Sequence, residues 1–182
     1  MQLDALTTFV YANGTPQSVV GAAGAAIPLG QPIDLLGQGV GTIPQNIIGN
    51  TSVFGVDPGI GRIRPEIQIN IGTGFTTGNA ATGTFALQYA ADQGAAGNYQ
   101  PATWYTSSET QAHAVGVLTP GQIIRLDVTP APPEVLTPRY VRLICYPPAG
   151  ENFSAGTVSA AFMTMARDDQ ANRQAASNYT VA

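Results

Sequence analysis

The sequence of 182 residues contains no lysine, one cysteine and one histidine, and only 10% of its residues are charged. Ordinary soluble domains carry roughly a quarter charged residues. Each shortage closes off some chemistry. Without lysine there is no Walker-type phosphate lysine, no Schiff-base nucleophile and no Ser-Lys dyad. The lone Cys145 permits neither an intrachain disulfide nor a multi-cysteine zinc site, and inside an apolar run it reads as a small buried hydrophobe. Seven arginines stand against eleven acidic residues, for a net charge of −4. No basic cluster breaks that balance, so no nucleic-acid partner is expected. No apolar run approaches the roughly 20 residues of a membrane span, and no membrane partner is expected. Met1-Gln2-Leu3-Asp4 has neither the basic n-region nor the apolar core of a signal peptide, so synthesis in a cytoplasm is expected.

What the chain does have is glycine, proline and β-patterned runs. With Gly 21 and Pro 14, turns and extended backbone are favoured over helix. The strongest stretch is residues 138–165. Arg139-Tyr140-Val141-Arg142-Leu143-Ile144-Cys145-Tyr146 and Thr157-Val158-Ser159-Ala160-Ala161-Phe162-Met163-Thr164-Met165 are rich in β-branched and aromatic residues, joined by a connection with proline and glycine. The first run is bulky on both sides, as a strand buried between two layers would be. Glu66-Ile67-Gln68-Ile69-Asn70-Ile71 and Thr84-Phe85-Ala86-Leu87-Gln88-Tyr89 alternate, and a meander would make them antiparallel neighbours. Ile123-Ile124-Arg125-Leu126-Asp127-Val128 alternates with Ile124, Leu126 and Val128 inward. Weaker strands are expected around 6–11, 17–21, 30–36, 103–106 and 115–118. Residues 130–133, Pro-Ala-Pro-Pro, make a stiff bridge. The expectation is an all-β, jelly-roll-like antiparallel β-sandwich of about eight strands, a single domain over 1–165. It has an extended amino-terminal segment, an extended excursion at 37–61 and a carboxy-terminal tail at 166–182.

Candidate chemistry is sparse. His113, in Ser107-Ser108-Glu109-Thr110-Gln111-Ala112-His113, reads as a loop histidine, with no Gly-x-Ser-x-Gly elbow to make Ser107 or Ser108 a nucleophile. Asp168-Asp169 point apart on a helical tail and have Arg167 and Arg173 as local partners. Gly37-x-Gly39-x-Gly41 completes no dinucleotide fingerprint. Trp104-Tyr105 could stack on a sugar or base, although aromatic residues in strands more often serve core or interface. Thus no catalytic, cofactor or metal residues are expected, and the protein is read as a non-enzyme. Arg139 and Arg142, on a buried strand, each need a carboxylate or carbonyl, within the sandwich or across a subunit joint.

The order of these features resembles the Bbp16-like cement (decoration) proteins of tailed bacteriophage capsids. The residues that carry the likeness are Leu3-Asp4-x-Leu6 with Phe9, Ile33-Asp34-Leu35, Ile67-Gln68-Ile69, Phe75-Thr76 and Ala80-Ala81-Thr82 leading into Phe85-Ala86-Leu87-Gln88. It continues through Leu118-x-x-Gly121, Arg139-Tyr140-Val141-Arg142-Leu143 and Phe153-Ser154-Ala155-Gly156-Thr157-Val158-Ser159-Ala160 to Asp169-Gln170 and Tyr179-Thr180-Val181. The chain departs from that pattern at 37–61 and 130–138. The resemblance implies a structural virion protein on the outer surface of the capsid, partnered by the major capsid protein and by itself as a dimer or trimer, with no activity. A tail-fibre or receptor-binding sandwich is the alternative. Interface residues are expected among Arg139, Arg142, Trp104, Tyr105 and Tyr179.

Overall fold

A computed structural model describes residues 8–10, 14–35, 65–94 and 100–165. The expected excursion at 37–61 and the tail at 166–182, with Tyr179, lie outside these. The strands are β1 (Thr8–Val10), β2 (Gln17–Ser18), β3 (Ile27–Pro28), β4 (Ile33–Asp34), β5 (Pro65–Thr77), β6 (Thr82–Ala90), β7 (Tyr105–Glu109), β8 (His113–Ala114), β9 (Ile123–Asp127), β10 (Tyr140–Tyr146) and β11 (Phe153–Met165). They form two antiparallel sheets. One runs β1-β11-β5-β9, with β2 also on β11; the other runs β3-β10-β6-β7, with β4 also on β10 and β8 also on β6. Because β1 and β2 share one flank of β11, β3 and β4 one flank of β10, and β7 and β8 one flank of β6, the described strands occupy eight lanes, four in each sheet. Numbered along the chain, the lanes lie in the orders 1-8-3-6 and 2-7-4-5. The protein is an all-β sandwich, as the strand count and alternation lead one to expect.

Alternation explains which faces meet. Ile67, Ile69 and Ile71 of β5, Ile124 and Leu126 of β9, and Val158 and Ala161 of β11 face Phe85, Leu87 and Tyr89 of β6 and Val141, Leu143 and Cys145 of β10 in one core. Phe75 and Phe153 from one sheet and Phe85 from the other form its aromatic centre, with ring centroids 5.2 and 6.1 Å apart around Phe75. Burying each such side chain contributes about 1.5–3 kcal/mol. Burial also pushes the Cys145 thiol well above its ordinary value, so it behaves as a core hydrophobe. On β10 even the outward Tyr140 and Ile144 are buried, which accounts for bulk on both sides of that strand.

Three expectations are corrected. β5 and β6 are not neighbours; they lie in opposite sheets and face each other across the core. The turn between them is pinned to β11, because the amides of Gly78, Asn79 and Ala80 all donate to the Asn152 carbonyl at 3.1–3.2 Å. The chain therefore crosses over the top of the sandwich instead of folding back. Residues 115–118 form a 3-10 turn, Val115–Val117, not a strand. Leu118 of that run is fully buried in the core and Val115 packs partly buried against it, while Gly121, at φ +82°, closes the following turn. The stretch around His113 is not loop, since Tyr105–Glu109 and His113–Ala114 both pair with β6. The two runs of 138–165 are each central to a sheet, but to different sheets.

Both seams between the sheets are closed. On one, Ser108 Oγ donates to the Asp127 carbonyl at 2.7 Å and Ser107 Oγ to those of Thr129 and Pro130 at 3.2 and 2.6 Å, with the Thr129 hydroxyl also beside Ser107. On the other, Gly30 at φ +80° lies so close to β1 that a methyl group there would stand 1.8 Å from the Phe9 carbonyl oxygen.

Candidate interaction surface

Arg139 and Arg142 sit three residues apart and meet different fates. Arg139 precedes β10, where its backbone is held on both sides: its N–H donates to the Ala90 carbonyl at 3.0 Å, and its own carbonyl accepts from Leu35 N–H at 2.7 Å. The residue is 4% exposed. Its Nε and Nη2 donate to the Asp34 carboxylate at 3.0–3.3 Å, and Nη1 donates to Asp92 at 2.8 Å. Asp34 comes from β4 and Asp92 from the segment after β6, so one guanidinium ties three separate parts of the chain together. The remaining Asp92 oxygen accepts from the amides of Gly94 and Gln100 at 2.9 and 3.0 Å, which shapes the 92–101 connection. Desolvation pushes the Asp92 carboxyl up, but those two amides and the Arg139 charge outweigh it and hold the group below its ordinary value. The Arg139 requirement for carboxylates is met inside the chain.

Arg142 points out from the six-stranded sheet, half-buried. By register it stands opposite Gln88, and its Nε and Nη2 both donate to Gln88 Oε1 at 2.9 and 2.8 Å. The amide nitrogen of Gln88 in turn donates to Thr106 Oγ1 at 3.1 Å, so one polar row crosses β10, β6 and β7. The guanidinium lies over the Trp104 ring, 4.2 Å from its centroid. At that distance a cation over an indole face is attractive. Partial burial pushes Arg142 down from its ordinary value, since its charged form has lost solvent.

Other features frame this surface. Tyr146 O–H, on the same face as Arg142, donates to Glu109 Oε2 at 2.7 Å. Desolvation first, and then Glu109, push the Tyr146 phenol up to about 12. Tyr105 is paired opposite Tyr89, whose ring is in the core, so it takes the other side of the strand from Trp104 and is 37% exposed at the sheet edge. The structure brings Trp104 and Arg142 together and leaves Tyr105 apart from them. The bridge 130–138 is anchored by buried Val135, while the adjacent Leu136 is 90% exposed. Trp104, Arg139 and Leu136 all belong to the end of the sandwich where β10 begins. Sequence reasoning missed Gln88, Asp92 and Leu136. The signal for Asp92 was an aspartate two residues before a glycine, which reads only as a local turn.

The serine-histidine idea finds no geometry here. Ser107 and Ser108 direct their hydroxyls to main-chain carbonyls across the seam, and Ser108 pairs with Leu87 whereas His113 pairs with Gly83, four residues along β6. Among the described residues, no group of three or more His, Cys, Asp or Glu is placed to hold a metal ion, and no helix is long and apolar enough to cross a membrane. Compared with known proteins, the chain matches no family model, and no curated protein matches it.

Proposed function

We propose that the protein is a structural cement (decoration) protein that binds the outside of a tailed-phage capsid and stabilises the lattice of the major capsid protein without enzymatic activity. The observation that supports this most is the winding of the strands. Lane orders 1-8-3-6 and 2-7-4-5 support reading the sandwich as two interlocked Greek keys, the jelly-roll-like architecture implied by the likeness to Bbp16-like cement proteins. Composition agrees with the reading. With 10% charged residues and no lysine, the outer faces are built from Thr, Ser, Asn and Gln, which repel a neighbouring protein little.

The physics is multivalent linkage. A rigid block that touches several capsid subunits, and associates with its own copies as a dimer or trimer, adds its binding free energy only to the assembled shell.

Particles made with and without the protein test the proposal. Those lacking it are expected to assemble yet lose their contents at lower temperature or lower salt, and electron microscopy is expected to place its density on the shell lattice. Equal thermal tolerance, or density on the tail, would overturn the cementing role.

A further inference from the structure

Three arginines lie among the described residues, and they are not partnered alike. Arg125 meets Glu66 at 2.7 Å, and Arg139 meets Asp34 and Asp92 at 3.0 and 2.8 Å. Arg142 is met by neutral groups, the Gln88 oxygen and the Trp104 ring, and among the described residues no carboxylate lies within ion-pairing distance of it. In a chain of net charge −4 it is a positive charge with no carboxylate counterion among the described residues.

Its geometry is more specific than its charge. Gln88 Oε1 receives Nε–H and the Nη2 hydrogen on that same edge. The end-on edge, one hydrogen from Nη1 and the second from Nη2, makes no hydrogen bond among the described residues, and an edge of this shape takes two carboxylate oxygens side by side. Three contacts hold the guanidinium in place before any ligand arrives: the stack on Trp104, the double bond to Gln88 and the Gln88–Thr106 link. A fork already fixed in orientation has little rotamer freedom left to lose on binding.

We propose that Arg142 and Trp104 form a docking site for a single carboxylate side chain, Asp or Glu, of a partner protein. One guanidinium balances one carboxylate charge; a phosphate carries nearly two and is ordinarily met by several cations or amides. Arg and Trp are also among the residue types enriched at the energetic centres of protein interfaces. The inference goes beyond the capsid reading and does not rest on it. It names the partner's chemistry, wherever the partner sits.

Trp104 is the only tryptophan, so its fluorescence reports directly on this site in the full chain. The probes are a blocked Gly-Gly-Glu-Gly-Gly peptide, its Gln counterpart and inorganic phosphate. A saturable change in emission is expected with the Glu peptide, with the Gln peptide about tenfold weaker or worse. Arg142→Gln is expected to abolish the response. Arg142→Lys, which keeps the charge but not the fork, is expected to weaken it several-fold, with thermal melts showing that both variants fold. An equal response to the Gln peptide, a response retained in Arg142→Gln, or tighter binding of phosphate would overturn the proposal. Self-association that the Glu peptide dissolves, seen by sedimentation, would overturn a separate partner in favour of a second copy.

Discussion

At the end of the sandwich where β10 finishes, the loops hold one another mainly through main-chain groups, with the Glu151 carboxylate accepting from one amide, that of Ala81, at 3.3 Å, whereas at the end where it begins they converge on an ion-paired cluster of three charged side chains. At the first end Gly24 N–H donates to the Glu151 carbonyl at 2.7 Å, and three successive amides share the Asn152 carbonyl. Such bonds carry no net charge and respond little to salt or pH. At the second end Arg139, Asp34 and Asp92 do the same work with ions, and the neighbouring surface carries Trp104, Arg142 and Leu136. The difference teaches that one end is built for closure alone. At the other, closure depends on electrostatics, and the groups suited to a partner gather beside it.

The comparison can be broken most sharply at Arg139. Replacing it with Met removes the cation that Asp34 and Asp92 share. The expected loss is on the order of 2–3 kcal/mol, below the figure for a fully buried pair because both carboxylates keep some contact with water. Urea denaturation measures it, and a loss under about 0.5 kcal/mol would show that ions do not hold that end. A smaller effect is expected from Gly24→Ala. Gly24 has φ +69°, and a Cβ there would lie 2.7 Å from Gly150 N. Strain of this kind costs about 1–3 kcal/mol, and the loss is expected to be the same in low and high salt, unlike that at Arg139. The gentlest test is acid. Because the Asp92 carboxyl is lowered in the folded protein, its contribution to stability is complete above the ordinary carboxylate range of about 4. It is lost as pH falls through the lowered value. Hydrogen exchange at the Gly94 and Gln100 amides is therefore expected to quicken in acid before that at Gly24 and Asn79. Simultaneous loss at both ends would erase the distinction.

Much of the scaffold is legible in the sequence. The alternation of Ile67-Gln68-Ile69 and of Ile124, Leu126 and Val128 encodes a half-buried strand locally, so no knowledge of the neighbours is needed. The two-residue strands β2, β3 and β4 carry no such pattern, and pairing with β10 and β11 alone makes them extended. The turn at 78–81 reads equally well as a hairpin or a crossover, and the distant Asn152 carbonyl decides between them. At the candidate surface, the need of a buried-strand arginine for a partner is readable. Which partner is not: Asp34 lies 105 residues from Arg139, and Gln88 lies 54 from Arg142. No motif spans such distances; the pairings emerge only when β10 is placed between β4 and β6.

The closed seams at Ser107–Thr129 and Gly30–Phe9 have one further consequence. A sheet with open flanks invites any extended peptide to extend its hydrogen-bond ladder, with little regard for sequence. Here hydroxyls cap the Asp127, Thr129 and Pro130 carbonyls on one flank and a glycine presses onto the Phe9 carbonyl on the other, which crowds those groups against an added strand. Recognition falls instead to side chains and loop tips, where one substitution can change the partner without disturbing the block that presents it.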